Sequence, residues 1–300
     1  MTGRPYVVAI GGGRGLTATL RAARRYAGVV TAVVATADDS GSTGRLRAAL
    51  PIPAPGDLRR CLAALADVDD RPLGLALEHR FEGTDLSGHT LGNLMLAALF
   101  ATTGDFVEAT DEVARLLGVD PRQGRVVPAT AEPVHLTCTT GDGRRVRGQY
   151  AISKTAGIDR LALDPPVVKA PNGVVDAIHR ADQVVLGPGS LYTSILAAAL
   201  VPDVLAALRT TTAQRVYVCN VEPEPGETEG YDVAAHVAAL HRHGVCADVV
   251  LVPRDTALPL GDVSVPVAHA DVAGAGGAAH DSWKLAVALA AIVPARTDER

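Results

Sequence analysis

The sequence predicts an α/β fold: a Rossmann-like, doubly wound, mostly parallel sheet with a small β-hairpin accessory element. Two observations lead to this prediction. Short apolar runs alternate along the chain with stretches of helical periodicity, which is the pattern of βαβ units. Several of these runs end in glycine-rich or acidic turns, where a parallel strand passes into the next element. We expect one domain over residues 1–300, with a helical insertion at about 55–118 and a β-hairpin at about 126–152.

The first half of the chain opens with a βαβ unit. Tyr6–Ile10 is a buried-type strand that stops at three glycines, Leu16–Tyr26 has helical spacing, and Val29–Ala35 is a second strand. The helical insertion follows. Its expected helices are one capped by Asp57 and running to Leu65, one at Leu91–Phe100 and one at Phe106–Leu117.

The second half returns to alternating strands and helices. The hairpin of 126–152 turns at Gly141–Gly143 and is suited to act as a lid or an oligomer contact. After it, strands are expected at Gln183–Leu186, Arg215–Cys219 and Asp248–Val252, and helices at Val174–Ala181, Leu191–Leu200, Tyr231–His243 and Asp281–Ile292.

Composition excludes several classes of protein. Apolar residues make up 48% and charged residues 20% of the chain, which is the balance of a folded protein. A net charge of −5 argues against a nucleic-acid-binding protein. The four cysteines form no CxxC pair, so buried free thiols are favoured over zinc or disulfides. Neither a signal peptide nor a membrane-spanning run is evident, and we expect a cytoplasmic protein.

The first candidate site is the glycine-rich segment Gly11–Gly15, between a strand and a helix. Glycines let the backbone approach a phosphate, and a helix N-terminus supplies unpaired N–H groups. Leu16 stands where a dinucleotide-binding fingerprint needs its third glycine, and the Gly-Lys-Ser/Thr of a Walker loop is missing. A simple strand-to-helix turn is the competing interpretation. Three consecutive glycines exceed what such a turn needs and favour phosphate binding.

The second candidate site is the segment Asp38–Arg45, after the second strand. Adjacent carboxylates are suited to a ribose diol or to a Mg²⁺ ion that accompanies phosphates. The hydroxyls, the glycines and Arg45 are suited to line an anion. The alternative is a solvated loop that caps the next helix.

Three further segments complete the set of candidates. Gly187–Ser190 is another strand-to-helix turn in which Ser190 is a natural N-cap, and capping alone is the alternative. The polar stretch Asn220–Thr228 is placed to close over a sugar or a base. His89 is either a general acid–base or a capping or packed residue. Because neither a nucleophile elbow nor an HExxH motif occurs, the sequence indicates a binding site more clearly than a reaction.

Taken in chain order, these segments resemble the gluconeogenesis factor (YvcK-like) family of the CofD-like superfamily. The resemblance covers most of the chain, and six loose motifs in the right order make it specific. The matching stretches are Gly11–Leu16, Ala37–Leu46, Pro55–Arg59, Gly88–Asn93, Gly187–Ser194 and Pro225–Thr228.

The resemblance implies a Rossmann-like fold and a nucleotide-sugar ligand, notably UDP-N-acetylglucosamine. The acidic pair Asp38 and Asp39 is suited to a Mg²⁺ ion that accompanies this ligand. The resemblance also implies a regulator of cell-wall synthesis, cell shape and gluconeogenic growth, with cell-wall synthesis regulators as candidate partners. The modest surface charge and the hairpin of 126–152 favour self-association into homo-oligomers. Residue patterns and resemblance together give the candidate ligand-binding residues Gly11, Gly12, Gly13, Gly15, Asp38, Asp39, Ser40, Gly41, Ser42, Gly44, Arg45, Asp57, Arg59, His89, Asn93, Gly187, Gly189, Ser190, Thr193, Asn220, Glu227 and Thr228.

Two departures from the family pattern bear on ligand choice: Arg14 replaces the usual Thr, and Val221–Glu224 is more acidic than the corresponding stretch. The superfamily's other branch, 2-phospho-L-lactate transferase, is the alternative function. In that case Asp38 or Asp39 would hold Mg²⁺ during the transfer, in deazaflavin coenzyme biosynthesis.

Overall fold

A seven-stranded parallel sheet forms the centre of the protein. A computed structural model describes residues 3–68, 70–83, 85–277 and 279–294. The strands in chain order are β1 (Tyr6–Gly11), β2 (Val29–Val34), β3 (Gly124–Pro128), β4 (His135–Thr140), β5 (Arg145–Arg147), β6 (Ile158–Asp164), β7 (Gln183–Leu186), β8 (Gln214–Val218), β9 (Val249–Pro253) and β10 (Val267–Ala270). The large sheet has the order β10-β9-β8-β7-β1-β2-β3, and all its pairs are parallel.

Helices cover both faces of this sheet. They are α1 (Gly13–Tyr26), α2 (Gly41–Ala49), α3 (Gly56–Ala66), α4 (Pro72–Glu78), α5 (Leu91–Thr103), α6 (Phe106–Leu116), α7 (Gln149–Ile152), α8 (Val174–Arg180), a π-helical turn (Leu191–Leu196), α9 (Ala197–Ala199), α10 (Pro202–Thr210), α11 (Val233–Arg242) and α12 (Ser282–Ala291). Alternate residues of β1 enter two separate buried clusters: Val7 and Ala9 pack with α1, α3 and α12, and Val8 and Ile10 with the opposite layer. Because both of its faces are buried, β1 is apolar without interruption.

The predicted α/β class, the parallel sheet and the first βαβ unit are confirmed. The order of the strands reverses between β1 and β7, because the chain leaves β1 toward β2 and leaves β7 toward β8. At such a switch point a crevice opens beyond the carboxyl ends of the two strands. The fold therefore places the segments that follow β1 and β7 on either side of one crevice.

The predicted hairpin of 126–152 is partly wrong. Its first residues belong to β3, which pairs with β2 in the large sheet. Only β4 and β5 form the hairpin, and β6 joins them in a separate antiparallel sheet of order β5-β4-β6. The strand expected to run to Ile152 ends early, because the carboxylate of Asp39 accepts hydrogen bonds from the N–H groups of Gln149 and Tyr150 (both 2.9 Å) and starts α7 there.

Two further expectations need correction. Asp57 does not cap α3, whose N-cap is Pro55; it lies in the first turn of that helix, and its carboxylate faces α1. The segment Asp38–Arg45 is not an open loop throughout, because α2 begins at Gly41. The sequence reading also missed α2, α4, α10, β6 and β10, which are short or lack clear periodicity.

Among the described residues, no single helix is both long and apolar enough to cross a bilayer. The bent pair Leu191–Ala199 and Pro202–Thr210 reaches that length and composition only when its two parts are taken together.

Candidate functional site

A cleft of about 910 Å³ lies at the switch point between β1 and β7. It joins the turn after β1, the turn after β7 and the loop after β8. Its main lining residues are Gly12, Gly13, Arg14, Gly15, Thr17, Ala18, Arg21, Arg60, Glu78, Pro188, Gly189, Ser190, Ser194, Asn220, Val221, Glu222, Glu224, Ala279 and His280.

The turn after β1 presents backbone to this cleft. Gly13 has φ +63°, and a side chain there would meet no atom within 4 Å, so the turn opens toward solvent. The first N–H groups of a helix have no partner within it. Asp57 accepts a hydrogen bond from the Gly13 N–H at 2.8 Å. For the N–H groups of Arg14 and Gly15, the described part of the chain shows no acceptor, and amides in this position at a helix start are suited to an anion.

Gly15 has a structural role as well. A Cβ atom at this position would overlap the carbonyl oxygen of Pro188. Only glycine therefore lets α1 approach the turn after β7 so closely. The two turns therefore lie in direct contact and together form the floor of the cleft.

Side chains from the loop after β8 accept hydrogen bonds from the turn after β7. Asn220 Oδ1 accepts from the Gly189 N–H at 2.9 Å, and the Ser190 hydroxyl donates to Glu224. Ser190 is the N-cap residue by position, but its side chain does not cap the π-helical turn. This turn therefore contributes the Ser190 hydroxyl to the cleft, whereas its Gly189 amide is already bonded.

Glu227 caps the π-helical turn. Its carboxylate accepts from the N–H groups of Tyr192 and Thr193, at 2.9 and 3.2 Å. The residue is only 1% exposed, and burial, with the negative charge of Glu224 nearby, raises the pKa of Glu227 to about 7. Thr228 stands beside it, with its hydroxyl donating to the Glu224 carbonyl at 3.3 Å. Glu227 and Thr228 are thus outside the cleft lining, where they bond to the π-helical turn and to the loop after β8.

Charged side chains of both signs line the cleft. The arginines are Arg14 and Arg21 of α1 and Arg60 of α3, which we call the cationic wall. Although burial opposes the charged form, the carboxylate of Asp57 raises the pKa of Arg60. Glu222 and Glu224 line the cleft from the loop after β8, and we call them the acidic wall.

His280 completes the lining of the cleft. Its Nε2 lies 3.1 Å from the carbonyl oxygen of Cys219, and burial lowers the pKa of His280 to about 4. The imidazole is therefore neutral at pH 7 and adds a polar group without a charge.

The two carboxylates of the predicted acidic pair bond to different segments of the chain. Asp38 Oδ1 accepts from the backbone N–H and the hydroxyl of Ser40, at 3.0 and 2.8 Å. Both oxygens of Asp39 are bonded to the start of α7. No group of three or more His, Cys, Asp or Glu residues suited to a metal ion occurs in the described ranges of the chain. Because both oxygens of Asp39 are already bonded, a Mg²⁺ ion at the predicted place near this pair would have to bind Asp38.

His89 is held by Ser42 and Arg45. Its Nδ1 lies 2.9 Å from Ser42 Oγ, and Arg45 Nε donates to its Nε2 at 3.4 Å. Because a guanidinium can only donate, the neutral ring carries its proton on Nδ1 and donates to Ser42. Burial and the charge of Arg45 lower the pKa of His89. The ring is thus oriented as a donor to Ser42, opposite to what activation of a nucleophile requires.

Arg59 and Asn93 form a buried network beside the cleft. Arg59 is 3% exposed and donates to both carboxylate oxygens of Glu78, at 2.7 and 2.9 Å. Its Nη1 also donates to Thr90 Oγ1 and Asn93 Oδ1, both at 2.6 Å. The guanidinium therefore binds Glu78, a lining residue, to the start of α5.

The structure brings some of the predicted residues together and sets others apart. The cleft unites Gly12, Gly13, Gly15, Gly189, Ser190 and Asn220. The remaining predicted residues are outside the lining of this cleft: Gly11, Asp38, Asp39, Ser40, Gly41, Ser42, Gly44, Arg45, Asp57, Arg59, His89, Asn93, Gly187, Thr193, Glu227 and Thr228.

Sequence reasoning missed several polar residues of the lining, among them Arg21, Arg60 and His280. Arg21 carries a detectable signal, because Arg14, Thr17, Ala18 and Arg21 follow helical spacing along one face of α1. Arg60 and His280 come from segments far from the glycine turns in sequence and carry no such signal.

The chain is similar to known proteins over most of its length. The family model described as 2-phospho-L-lactate transferase CofD matches residues 7–269. A gluconeogenesis factor of Bacillus subtilis is 44% identical over 253 residues, which cover 83% of this chain and 78% of that protein. A gluconeogenesis factor of Halalkalibacterium halodurans is 42% identical over 250 residues, covering 82% and 76%.

A solved structure agrees with this result. The crystal structure of a member of the UPF0052 family from Bacillus halodurans superposes with a TM-score of 0.89 at 36% identity. The superposition covers 95% of this chain and 98% of that one.

Proposed function

The chain belongs to the CofD-like gluconeogenesis factor family, and on that premise we propose that it is a regulator that binds a nucleotide sugar of the UDP-N-acetylglucosamine type in the cleft between β1 and β7. The regulated processes that we propose are cell-wall synthesis, cell shape and growth on gluconeogenic carbon sources. The name that its relatives carry supports the last of these.

One observation carries the ligand proposal: the N–H groups of Arg14 and Gly15 and the cationic wall converge on one crevice at the switch point. Unpaired amides at a helix N-terminus and guanidinium groups are the donors that bind phosphates in proteins. A diphosphate at this place leaves the nucleoside and the sugar to extend along the cleft. The volume of about 910 Å³ is near the upper end of ligand pockets, which suits an elongated ligand.

A binding role is favoured over catalysis by the orientation of His89. Its ring donates to Ser42 and therefore does not prepare that hydroxyl for attack. A Mg²⁺ ion is proposed only as a companion of the bound diphosphate, next to Asp38.

Isothermal titration calorimetry with UDP-N-acetylglucosamine tests the ligand proposal. UDP, GDP-mannose and free N-acetylglucosamine serve as comparison ligands. We expect Arg14→Ala to weaken binding about tenfold without loss of stability, because an exposed cation that contacts a phosphate is removed.

The matched control is Arg122→Ala, which removes an exposed arginine paired with Asp120 far from the cleft. It should bind like the unaltered protein. Absence of heat with every nucleotide sugar, from a folded sample, contradicts the proposal.

A second candidate function is transfer of a phospholactyl group, which the description of the matching family model favours. It predicts product formation from a deazaflavin acceptor and an activated phospholactate in the presence of Mg²⁺. Asp38→Asn should abolish this turnover. Saturating substrates without product, while a nucleotide sugar still binds, leave the regulator as the function.

A further inference from the structure

The acidic wall is held in place by its neighbours. Glu224 Oε1 accepts a hydrogen bond from the Ser190 hydroxyl, and its Oε2 lies 3.5 Å from the amide nitrogen of Asn220. Asn220 in turn accepts from the Gly189 N–H. These bonds hold the Glu224 carboxylate at the edge of the turn after β7.

No ion pair involves Glu222 or Glu224 in the portion of the chain that the structure describes. By contrast, the other carboxylate of the lining, Glu78, is paired with Arg59 at 2.7 Å. The cleft therefore combines a cationic wall with two uncompensated carboxylates, and any group that lies beside them experiences their charge.

We propose that Glu222 and Glu224 are specificity-determining residues, which accept nucleotide sugars with an uncharged, hydroxyl-rich sugar and exclude those whose sugar carries a carboxylate. This inference rests on the proposed function. Both walls line the same cleft, so a sugar attached to a diphosphate at the cationic wall is within reach of the acidic wall. Carboxylate oxygens accept hydrogen bonds from sugar hydroxyls, whereas a second carboxylate beside them meets like-charge repulsion in a partly desolvated cleft.

The test uses two ligands that differ at one carbon atom. UDP-N-acetylglucosamine has a hydroxymethyl group at C6 of the sugar, and UDP-N-acetylglucosaminuronic acid has a carboxylate there. Dissociation constants for both are measured by calorimetry at low ionic strength. We expect the unaltered protein to prefer the neutral sugar at least about tenfold.

Glu222→Gln and Glu224→Gln remove the charges and keep the shape, and the amide oxygen that Glu224→Gln introduces can still accept from the Ser190 hydroxyl. The double variant should reduce the preference to about threefold or less, mainly by tighter binding of the acidic sugar. Glu229→Gln is the matched control, because Glu229 is an exposed glutamate of the same loop outside the cleft lining. It should keep the full preference.

The outcomes separate this inference from the proposed function. Equal affinity for both ligands, or a preference that the double variant retains, overturns the inference and leaves nucleotide-sugar binding standing. Failure of the unaltered protein to bind either ligand overturns both. If the double variant unfolds, thermal melting reveals it, and Glu222→Gln, which changes only an exposed side chain, then carries the test.

Discussion

The carboxylate of Asp57 accepts a hydrogen bond from the backbone N–H of Gly13 at 2.8 Å, although the two residues belong to different helices. Asp57 therefore caps α1 from α3, and its other oxygen binds Arg60. This relationship fixes the glycine turn after β1 and places one arginine of the cationic wall. It also occupies the Gly13 N–H, so that the N–H groups of Arg14 and Gly15 are the ones that we propose for the ligand.

Replacement of Asp57 should affect stability and binding together. Asp57→Ala removes the cap of α1 and the partner of Arg60, and we expect a loss of about 2 kcal/mol in the free energy of unfolding. Asp57→Asn, which keeps an acceptor for the Gly13 N–H, should lose less. Urea denaturation measures both, and calorimetry with UDP-N-acetylglucosamine should show weaker binding for Asp57→Ala.

Asp105→Ala is the control for this prediction. Asp105 caps α6 by accepting from the N–H groups of Val107 and Glu108, at 2.7 and 3.2 Å. Its loss should lower stability by about 1 kcal/mol without a change in nucleotide binding. Equal effects of the two alanine variants on binding would show that the Asp57 cap does not support the site.

Glu227 should make the protein less stable as the pH rises. The folded protein holds this carboxyl proton with a pKa of about 7, against an ordinary value of 4.5, because the group is buried. Between these two pH values the folded state binds more protons than the unfolded chain, so the free energy of unfolding falls with increasing pH. The full contribution of this group is on the order of 3 kcal/mol.

Glu227→Gln resembles the protonated form and removes this titration. The difference in unfolding free energy between Glu227→Gln and the unaltered protein should therefore move in favour of the variant from about pH 5 to about pH 8. Urea denaturation at several pH values measures that difference. Glu229→Gln should show no such trend, and a flat difference for Glu227→Gln would refute the assignment.

Gly15 should not tolerate even alanine. Because the added Cβ would overlap the Pro188 carbonyl oxygen, Gly15→Ala must push α1 away from the turn after β7. We expect a loss of about 2 kcal/mol and a weaker nucleotide sugar complex. Gly141→Ala, in the hairpin turn, brings its Cβ no closer than 4.0 Å to another atom and should be nearly neutral. Thermal melting and calorimetry compare the two, and similar behaviour would remove the close contact as an explanation.

Arg59 should resist replacement by lysine. Its buried guanidinium donates hydrogen bonds to Glu78, Thr90 and Asn93. A lysine ammonium cannot reproduce the paired bonds to a carboxylate. We expect Arg59→Lys to lose about 3 kcal/mol of unfolding free energy in urea denaturation. Arg115→Lys, at an exposed pair with Glu112, should leave the denaturation curve unchanged. A small effect at Arg59 would mean that the network relaxes around the lysine.

The sequence alone determined the fold class, the first βαβ unit and the positions of the glycine turns. These features are local: an apolar run such as Tyr6–Ile10, buried on both faces, and the glycines that end it are visible within a few residues. Parallel strands end at one edge of a sheet, so the meeting of the turns after β1 and β7 was predictable as well. The roles assigned to single side chains were less predictable.

Only the tertiary structure decided which polar groups remain for a ligand. Asp39, Asp57 and Glu227 were candidate ligand contacts by residue type, but each carboxylate caps a helical segment that is distant in sequence. Arg60 and His280 enter the cleft by the same long-range packing. The physical reason is that buried or helix-terminal N–H groups must find acceptors, and the nearest acceptor in space is set by how helices and loops pack, which a local pattern does not encode.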